Sequence, residues 1–310
     1  MNAKGTFTML KDTLKDFSDD ECPRMAAALS YYTVFSLPPL LILLLLIAGA
    51  VFDPQQVQTT IQTQMGNLMG TQGAQEIGTI INQAERPGGR GIKALLGVAA
   101  LVFGATGAFL QLQGALNRAW EVEPDPKAGG LKNFIFKRVL SLGMILGVAF
   151  LLVVSLAVSA AVSAMGGMLG RLVPGASTAL AFVFDTAITF VVISFVFAAI
   201  FKVLPDAKIA WKDVWVGGLV TGALFTLGKF LLGFYLGRSN PGEAFGAAGS
   251  LALVLVWIYY SSMIVLFGAE FTQVWAIRKG RGIQPDKGAR RMNDEIGDPT
   301  KPAQPRTARA

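Results

Sequence analysis

Residues 247–271 read AAGSLALVLVWIYYSSMIVLFGAEF, and this stretch decides the fold class. Glu270 is the single charged residue within it. A helix needs about 20 mainly apolar residues to cross the hydrocarbon core of a bilayer. The stretch is therefore predicted to be a transmembrane helix.

Five further apolar stretches precede this one and are long enough to cross a bilayer. They are predicted at Val34–Phe52, Ile92–Leu112, Val139–Val162, Ala179–Phe201 and Val214–Leu236. The alternating ten-residue pattern of an outer-membrane barrel is absent from them. Lipid offers no partner to a free backbone N–H or C=O group, so only helices are expected. The prediction is an all-α, polytopic membrane bundle with six transmembrane helices.

The composition agrees with a membrane protein and disfavours several classes of enzyme. Hydrophobic residues make up 53% of the chain and charged residues 15%, whereas soluble domains carry about 25% charged residues. The chain has no histidine and one cysteine, Cys22. These counts remove the commonest general base, the commonest zinc ligand and any intrachain disulfide. We expect neither an enzyme nor a bound cofactor or metal.

The basic residues set the predicted orientation. Placing the N-terminus inside puts 21 of the 27 lysines and arginines in cytoplasmic segments and four in external ones. Cytoplasmic connections of membrane proteins carry such an excess. Both termini are thus predicted to lie on the cytoplasmic side of the membrane. Topology accounts for the net charge of +7, and no nucleic-acid partner is expected.

The chain divides into three predicted regions around these spans. They are cytoplasmic amphipathic helices at 1–33, a transmembrane domain at 34–275 with an outer loop at 53–91, and a disordered basic tail at 276–310. The tail is polar, with glycine, proline and mixed charge, which is typical of disorder. The outer loop is predicted to form short amphipathic helices.

The N-terminal segment 4–17 has an apolar stripe at helical spacing, formed by Phe7, Leu10, Leu14 and Phe17. Such a helix can lie at the bilayer surface. Packing of the stripe against the protein's own cytoplasmic loops is an equal alternative. In the first span, Pro38 and Pro39 are expected to interrupt the backbone hydrogen bonds.

Three ionisable residues lie inside predicted spans, where a charge is costly and calls for a reason. Asp185 and Lys229 are each about 9–11 Å below the outer ends of consecutive antiparallel spans, at 1.5 Å per residue. They could form a structural ion pair or line a substrate cavity. Glu270 is near the inner end of the last span, with Asn117 and Arg118 as expected neighbours. It could cap or snorkel, or it could gate a substrate or an ion.

The second span ends in a polar segment that contains Gln111, Gln113, Asn117 and Arg118. Polar side chains at this depth more often hold helices together than bind ligands. Gln111, Asn117 and Arg118 join the three ionisable residues as candidates for a substrate path. Glycines four residues apart, such as Gly218 and Gly222, indicate close helix contacts.

Four stretches together carry a family resemblance. They are AAALSYYTVFSLPPLLILLL (26–45), LVFGATGAFLQLQGALNRAWEVEP (101–124), LPDAKIAWKDVWVGGLVTGALFTLGKFLLGFYLG (204–237) and FGAAGSLALVLVWIYYSSMIVLFGAEFTQVWA (245–276). With these stretches the chain resembles the YihY/BrkB family of bacterial inner-membrane proteins from about Ala26 to Trp275.

The resemblance implies six transmembrane helices and places Asp185, Lys229 and Glu270 at polar positions of the family pattern. It also implies the roles suspected for members, namely serum resistance and the movement of lipids or solutes. The family has carried the label ribonuclease BN as well. A metal-dependent nuclease needs clustered His or carboxylate ligands in water. The chain lacks histidine and its acids are scattered, so we treat that label as a misassignment.

Two functions follow as hypotheses. The first is a transporter or flippase-like protein for a lipid or an amphiphilic solute, with membrane lipids as its surroundings. The alternative is a scaffold or envelope-assembly partner that transports nothing, because each polar feature also has a structural explanation. Assembly into a homo-oligomer is left open by the sequence.

Overall fold

The computed structural model describes residues 3–48, 53, 55–63, 66, 75, 78–79, 92–125, 139, 143, 176–238, 249–280 and 282–292. These residues are mainly helical. The main helices are α1 (Ala3–Asp19), α2 (Cys22–Ala48), α3 (Ile92–Ala119), α4 (Ala176–Val203), α5 (Trp211–Arg238) and α6 (Gly249–Arg278), and residues 55–63 are helical as well. The short strands are β1 (Val122–Pro124), β2 (Ala207–Lys208), β3 (Gln284–Pro285) and β4 (Ala289–Arg291).

The helices pack as a bundle in which α2 contacts α3 and α6, and α5 contacts α4 and α6. Within the described part of the chain, four helical segments are long and apolar enough to cross a membrane. They are Cys22–Leu43, Ala99–Ala119, Trp211–Leu232 and Leu251–Arg278. A shorter apolar segment, Thr189–Val203, belongs to α4. The prediction of an all-α membrane bundle is confirmed.

The count of six spans stays a prediction. The third predicted span, Val139–Val162, lies outside the described residues apart from Val139 and Gly143. The segments predicted to be cytoplasmic do meet at one end of the bundle. Asn117 at the end of α3 contacts Asp206 between α4 and α5, and Cys22 at the start of α2 contacts Glu270 near the end of α6. We call this end, predicted to be cytoplasmic, the inner end.

Small residues set the contact between α5 and α6. Thr221 donates a hydrogen bond to the carbonyl of Gly217, and a Cβ placed on Gly268 would lie 2.9 Å from the Thr221 Cβ. The arrangement is reciprocal, because Thr272 packs over Gly217 in the same way while bonding to the Gly268 carbonyl. Each threonine thus fills the space that the opposite glycine leaves open.

The contact between α4 and α5 uses the glycine pair singled out in the sequence. A Cβ on Gly218 would lie 2.9 Å from Ala198 Cβ, and one on Gly222 would lie 3.3 Å from Ser194 Cα, with the Ser194 hydroxyl nearer still. The close helix contact predicted for Gly218 and Gly222 is thus confirmed. Small residues allow backbones to approach where lipid provides no hydrophobic drive between helices.

The two prolines of the first span lack the N–H group that a helical hydrogen bond needs, yet they do not end their helix. α2 runs from Cys22 to Ala48 with Pro38 and Pro39 inside it. α3 packs against this turn, since a Cβ on Gly104 would lie 2.7 Å from Pro39 Cγ. The region boundary predicted at residues 33 and 34 falls inside α2, so it marks no break in the chain.

Residues 282–292 differ from the disordered tail that was expected from 276 onward. β3 and β4 pair antiparallel with β2 and β1 respectively. Arg290 forms a 2.6 Å ion pair with Glu123 across the second of these pairs. A turn brings the two strands together, in which Ala289 N–H bonds to the Asp286 carbonyl and Gly288 has φ +84°. Glycine adopts that backbone conformation without steric cost.

The N-terminal helix α1 was predicted over 4–17 and is present over Ala3–Asp19. It packs along the inner part of α6 through Met9, buried with Phe271 and Val274, and through Phe17, whose ring meets Phe267. The other three residues of the predicted stripe face away from the protein and are exposed: Phe7, Leu10 and Leu14. Of the stripe, only Phe17 thus packs against the protein itself, and the other three residues remain available to a bilayer surface.

Candidate functional site

Glu270 lies near the end of α6 and is completely buried. The Cys22 thiol, also completely buried, donates a hydrogen bond of 3.4 Å to Glu270 Oε1. The other carboxyl oxygen, Oε2, has no hydrogen-bond partner among the described residues. A snorkelling role is thus wrong for Glu270, because its carboxyl group does not reach the surface.

The residues expected beside Glu270 bond to other groups at the inner end and not to its carboxyl group. Arg118 pairs with Asp20 at 3.3 Å in the turn between α1 and α2, and Asn117 binds Asp206. The contact partner of Glu270 is instead Cys22, which the sequence analysis considered only for disulfide and metal chemistry. We name Asp20, Cys22, Arg118, Glu121 and Glu270 the inner-end cluster.

Asn117 and Gln113 on α3 hold the turn that follows α4. Asn117 Nδ2 donates to Asp206 Oδ2 at 2.8 Å, and Gln113 Nε2 donates to Oδ1 at 3.1 Å. The Asp206 N–H group returns a 2.8 Å bond to Asn117 Oδ1. We call these three residues the Asp206 latch. Gln111 is half-buried one turn away and contributes no bond to the latch.

Lys229 is half-buried in α5, nine residues before the helix ends at Arg238. Its Nζ lies 5.6 Å from the centroid of the Phe230 ring, and Phe230 is exposed on the outside of the bundle. The amine of Lys229 therefore lies beside an aromatic surface that faces the surroundings of the bundle.

Asp185 and Lys229 are at similar levels in the helix pair. α4 and α5 run antiparallel, and Gly222 lies level with Ser194. Asp185 is nine residues before Ser194, so it lies level with residue 231, nine residues after Gly222. That is two residues from Lys229, or about 3 Å along the helix. The side chain of Asp185 lies outside the described residues, so the ion pair stays a prediction.

A second polar group lies in the seam between α4 and α5. The Ser194 side chain is completely buried, and its hydroxyl has no hydrogen-bond partner among the described residues. It is level with Gly222, which is seven residues, or about 10 Å, from Lys229 toward the inner end. We call the contact line formed by Ser194, Gly218 and Gly222, with its continuation along the same stripe of α5 to Lys229, seven residues after Gly222, the α4–α5 seam.

Sequence reasoning missed Cys22, Ser194 and Asp206 as parts of these sites. Asp206 carried a readable signal, because Leu204-Pro205-Asp206 follows an apolar helix and Pro-Asp pairs are typical of turns. Cys22 and Ser194 carried none, since a lone cysteine or serine in an apolar helix is usual. In the described ranges, no group of three Cys, Asp or Glu side chains could hold a metal ion.

Comparison with known proteins finds a family model and relatives that are membrane proteins. Residues 13–293 match the family model Virulence factor BrkB. A UPF0761 membrane protein of Psychrobacter sp. (strain PRwf-1) is 28% identical over 283 residues, covering 90% of this chain and 50% of the relative. One from Alkalilimnicola ehrlichii is 30% identical over 268 residues, covering 84% and 56%.

A further relative from Verminephrobacter eiseniae is 29% identical over 264 residues, covering 84% of this chain and 60% of the relative. It too is a UPF0761 membrane protein. The chain thus spans about half to three fifths of the length of these curated relatives. No solved structure matches the chain.

Proposed function

Because the chain belongs to the Virulence factor BrkB family of membrane proteins, we propose that it moves a lipid or an amphiphilic solute across the bacterial plasma membrane. The observation that carries this proposal is Lys229. An ionisable residue at membrane depth is costly and marks a functional site by default. Lys229 is half-buried at that depth, and its neighbour Phe230 faces outward.

The surroundings of Lys229 suit a molecule with a charged head and an apolar tail. The amine can attract an anionic headgroup, since a charge-assisted hydrogen bond is about twice as strong as a neutral one. The amine lies beside Phe230, and the outer face of this part of α5 is formed by apolar side chains that are more than half exposed: Leu227, Phe230, Leu231 and Phe234. An acyl chain can stay in contact with that face while the headgroup occupies the α4–α5 seam.

The unpartnered hydroxyl of Ser194 supports the movement of a headgroup along the α4–α5 seam. A buried hydroxyl without a hydrogen bond costs free energy, and a passing headgroup would supply the missing partner. Ser194 lies about 10 Å from Lys229 toward the inner end. The two groups thus mark two levels of one route along the α4–α5 seam. We place both chain ends in the cytoplasm, supported by the 21 lysines and arginines of the predicted cytoplasmic segments.

Translocation of fluorescent phospholipid analogues in proteoliposomes tests this function. Wild-type protein is expected to speed the exchange of an anionic analogue between leaflets over protein-free liposomes. Lys229→Met is expected to slow it about tenfold or more, because one charge-assisted contact contributes about 1.5–3 kcal/mol. Lys229→Arg keeps the charge and should retain most of the rate.

Lys212→Met is the matched control, since Lys212 is an exposed lysine at the start of the same helix. It should translocate lipid at the wild-type rate. Absence of wild-type movement across a panel of anionic, zwitterionic and single-chain amphiphiles would reject the transport proposal.

A scaffold without transport is the second candidate, and one observation favours it. Tyr31, Tyr32 and Phe35 form an exposed aromatic group on α2, with the Tyr31 and Phe35 ring centroids 4.7 Å apart. Aromatic residues are enriched where proteins bind one another. Under this alternative, Asp185→Asn combined with Lys229→Met folds and functions as the wild type does.

A further inference from the structure

The Glu270 carboxyl group has an environment that does not suit a permanent charge. It is completely buried, and its Oε2 atom has no hydrogen-bond partner among the described residues. In the part of the chain that the structure describes, its Oε1 atom receives one hydrogen bond, from the weakly donating thiol of Cys22. An ionised carboxylate in such a place costs several kcal/mol unless it is paired and hydrogen-bonded.

The groups around Glu270 are mostly acidic, which adds to that cost. Several titratable or charged groups interact with the Glu270 and Cys22 pair: Asp16 of α1, Asp20 of the α1–α2 turn, and Arg118 and Glu121 at the end of α3. Arg118 is the only cation among these, and it pairs with Asp20 at 3.3 Å. Among these groups of the described residues, three acidic side chains therefore stand against one cation.

We propose that Glu270 is a proton-binding site whose occupancy controls the contact between α2 and α6 at the inner end. With the proton bound, the neutral carboxyl group fits the packed core beside Cys22. On release, the O–H bond breaks, the electron pair stays on the carboxylate oxygen, and the proton passes to cytoplasmic water. The resulting carboxylate is repelled by Asp20 and draws water into the contact.

The direction of the pH response follows from proton counting. The closed arrangement holds one more proton than the open one, so a rise in pH shifts the population toward the open arrangement. The assignment of this switch to the coupling of transport rests on the proposed function. The switch itself needs no substrate, since Glu270, Cys22 and the acidic groups all belong to this chain.

Alkylation of Cys22 by N-ethylmaleimide tests the proposal, because Cys22 is the only cysteine in the chain and is completely buried beside Glu270. Labelling rates are measured across a pH series with the full-length protein in proteoliposomes. An exposed thiol, Lys11→Cys in a Cys22→Ala background, supplies the intrinsic pH dependence of the reaction. Lys11 is exposed on α1.

After division by the exposed-thiol rate, Cys22 labelling in the wild type should rise with pH, by up to about tenfold per pH unit. Glu270→Gln cannot release a proton and should give a flat ratio. A flat wild-type ratio, or an equal rise in Glu270→Gln, overturns the proposal. Either result leaves the lipid translocation test unaffected, so the two proposals fail separately.

Infrared spectroscopy keeps the test decisive if Glu270→Gln does not fold. Wild-type protein labelled with ¹³C-glutamate should show the carbonyl band of a protonated glutamic acid at neutral pH, where exposed glutamates are ionised. The band should vanish as the pH is raised over the range in which Cys22 labelling increases. Absence of this band at neutral pH overturns the proposal.

Discussion

Replacing Gly268 with leucine is expected to remove most of the folded protein. A Cβ at this position would lie 2.9 Å from the Thr221 Cβ, with the threonine hydroxyl nearer still. Real Cβ atoms essentially never approach so closely, and Thr221 is completely buried. Overpacking a core costs about 1–3 kcal/mol, occasionally more. Four side-chain carbons exceed the space available, so we expect an effect at the upper end.

The measurement is the monodisperse fraction and the thermal unfolding midpoint of purified protein in detergent. Gly114→Leu is the matched control, since a Cβ on Gly114 of α3 meets nothing within 4 Å, and it should behave as the wild type. The milder Gly268→Ala should recover when Thr221→Gly is added, because the second change reopens the space. Equal stability of Gly268→Leu and wild type would contradict the reciprocal packing of α5 and α6.

Asn117→Leu is expected to destabilise the inner end by about 3 kcal/mol. The change removes the 2.8 Å bond to the Asp206 carboxylate and leaves the Asp206 N–H group without its acceptor. A bond to a charged group contributes about 1.5–3 kcal/mol, and because Asp206 is half-buried, its unsatisfied N–H group adds only part of the cost of a fully buried donor, which is about 1–3 kcal/mol. Thermal unfolding in detergent reports the loss.

Gln111→Leu provides the comparison for Asn117→Leu. Gln111 is on the same helix, is half-buried and takes no part in the latch, so its replacement should shift the unfolding midpoint little. If the two variants were equally stable, Asn117 would not hold the turn after α4. A route for substrate past Asn117 would then become the better interpretation of its position.

The membrane bundle could be predicted from periodicity and hydropathy, because the apolar character of a span is repeated along its whole length. The spacing of four residues, from Gly217 to Thr221 on α5 and from Gly268 to Thr272 on α6, could have indicated that each helix has a face suited to close packing. The pairing of the two faces could not be predicted, because it depends on the relative register of α5 and α6. That register is a tertiary property that a single helix pattern does not contain.

The ordered segment after α6 was missed for a related reason. Residues 284–291 are polar and basic, which is typical of a solvated tail. Their order comes from pairing with β1 and β2, which are far away in sequence. The turn at Pro285-Asp286-Lys287-Gly288 was a readable local signal, since proline, aspartate and glycine favour turns. It indicated a turn without indicating what the turn would bring together.

The candidate sites were predictable to different degrees. Lys229 and Glu270 stand out in any sequence reading, since charges are rare in apolar spans. The partner of Glu270 did not, because Cys22 is 248 residues away and carries no charge. Asn117 and Arg118 were recognised as polar groups near the inner end, but their bonds to Asp206 and Asp20 depend on turns that only the folded chain brings together.

An experimental structure of the protein in a nanodisc containing anionic phospholipid tests the central claim most directly. The account predicts lipid density along the outer face of α5, with the headgroup within hydrogen-bond distance of Lys229 Nζ in the α4–α5 seam. Lys229 sealed against the Asp185 carboxylate, with no lipid at that level in the membrane, would contradict it. Lys229 would then be one half of a structural ion pair, and the protein would need another route for a headgroup.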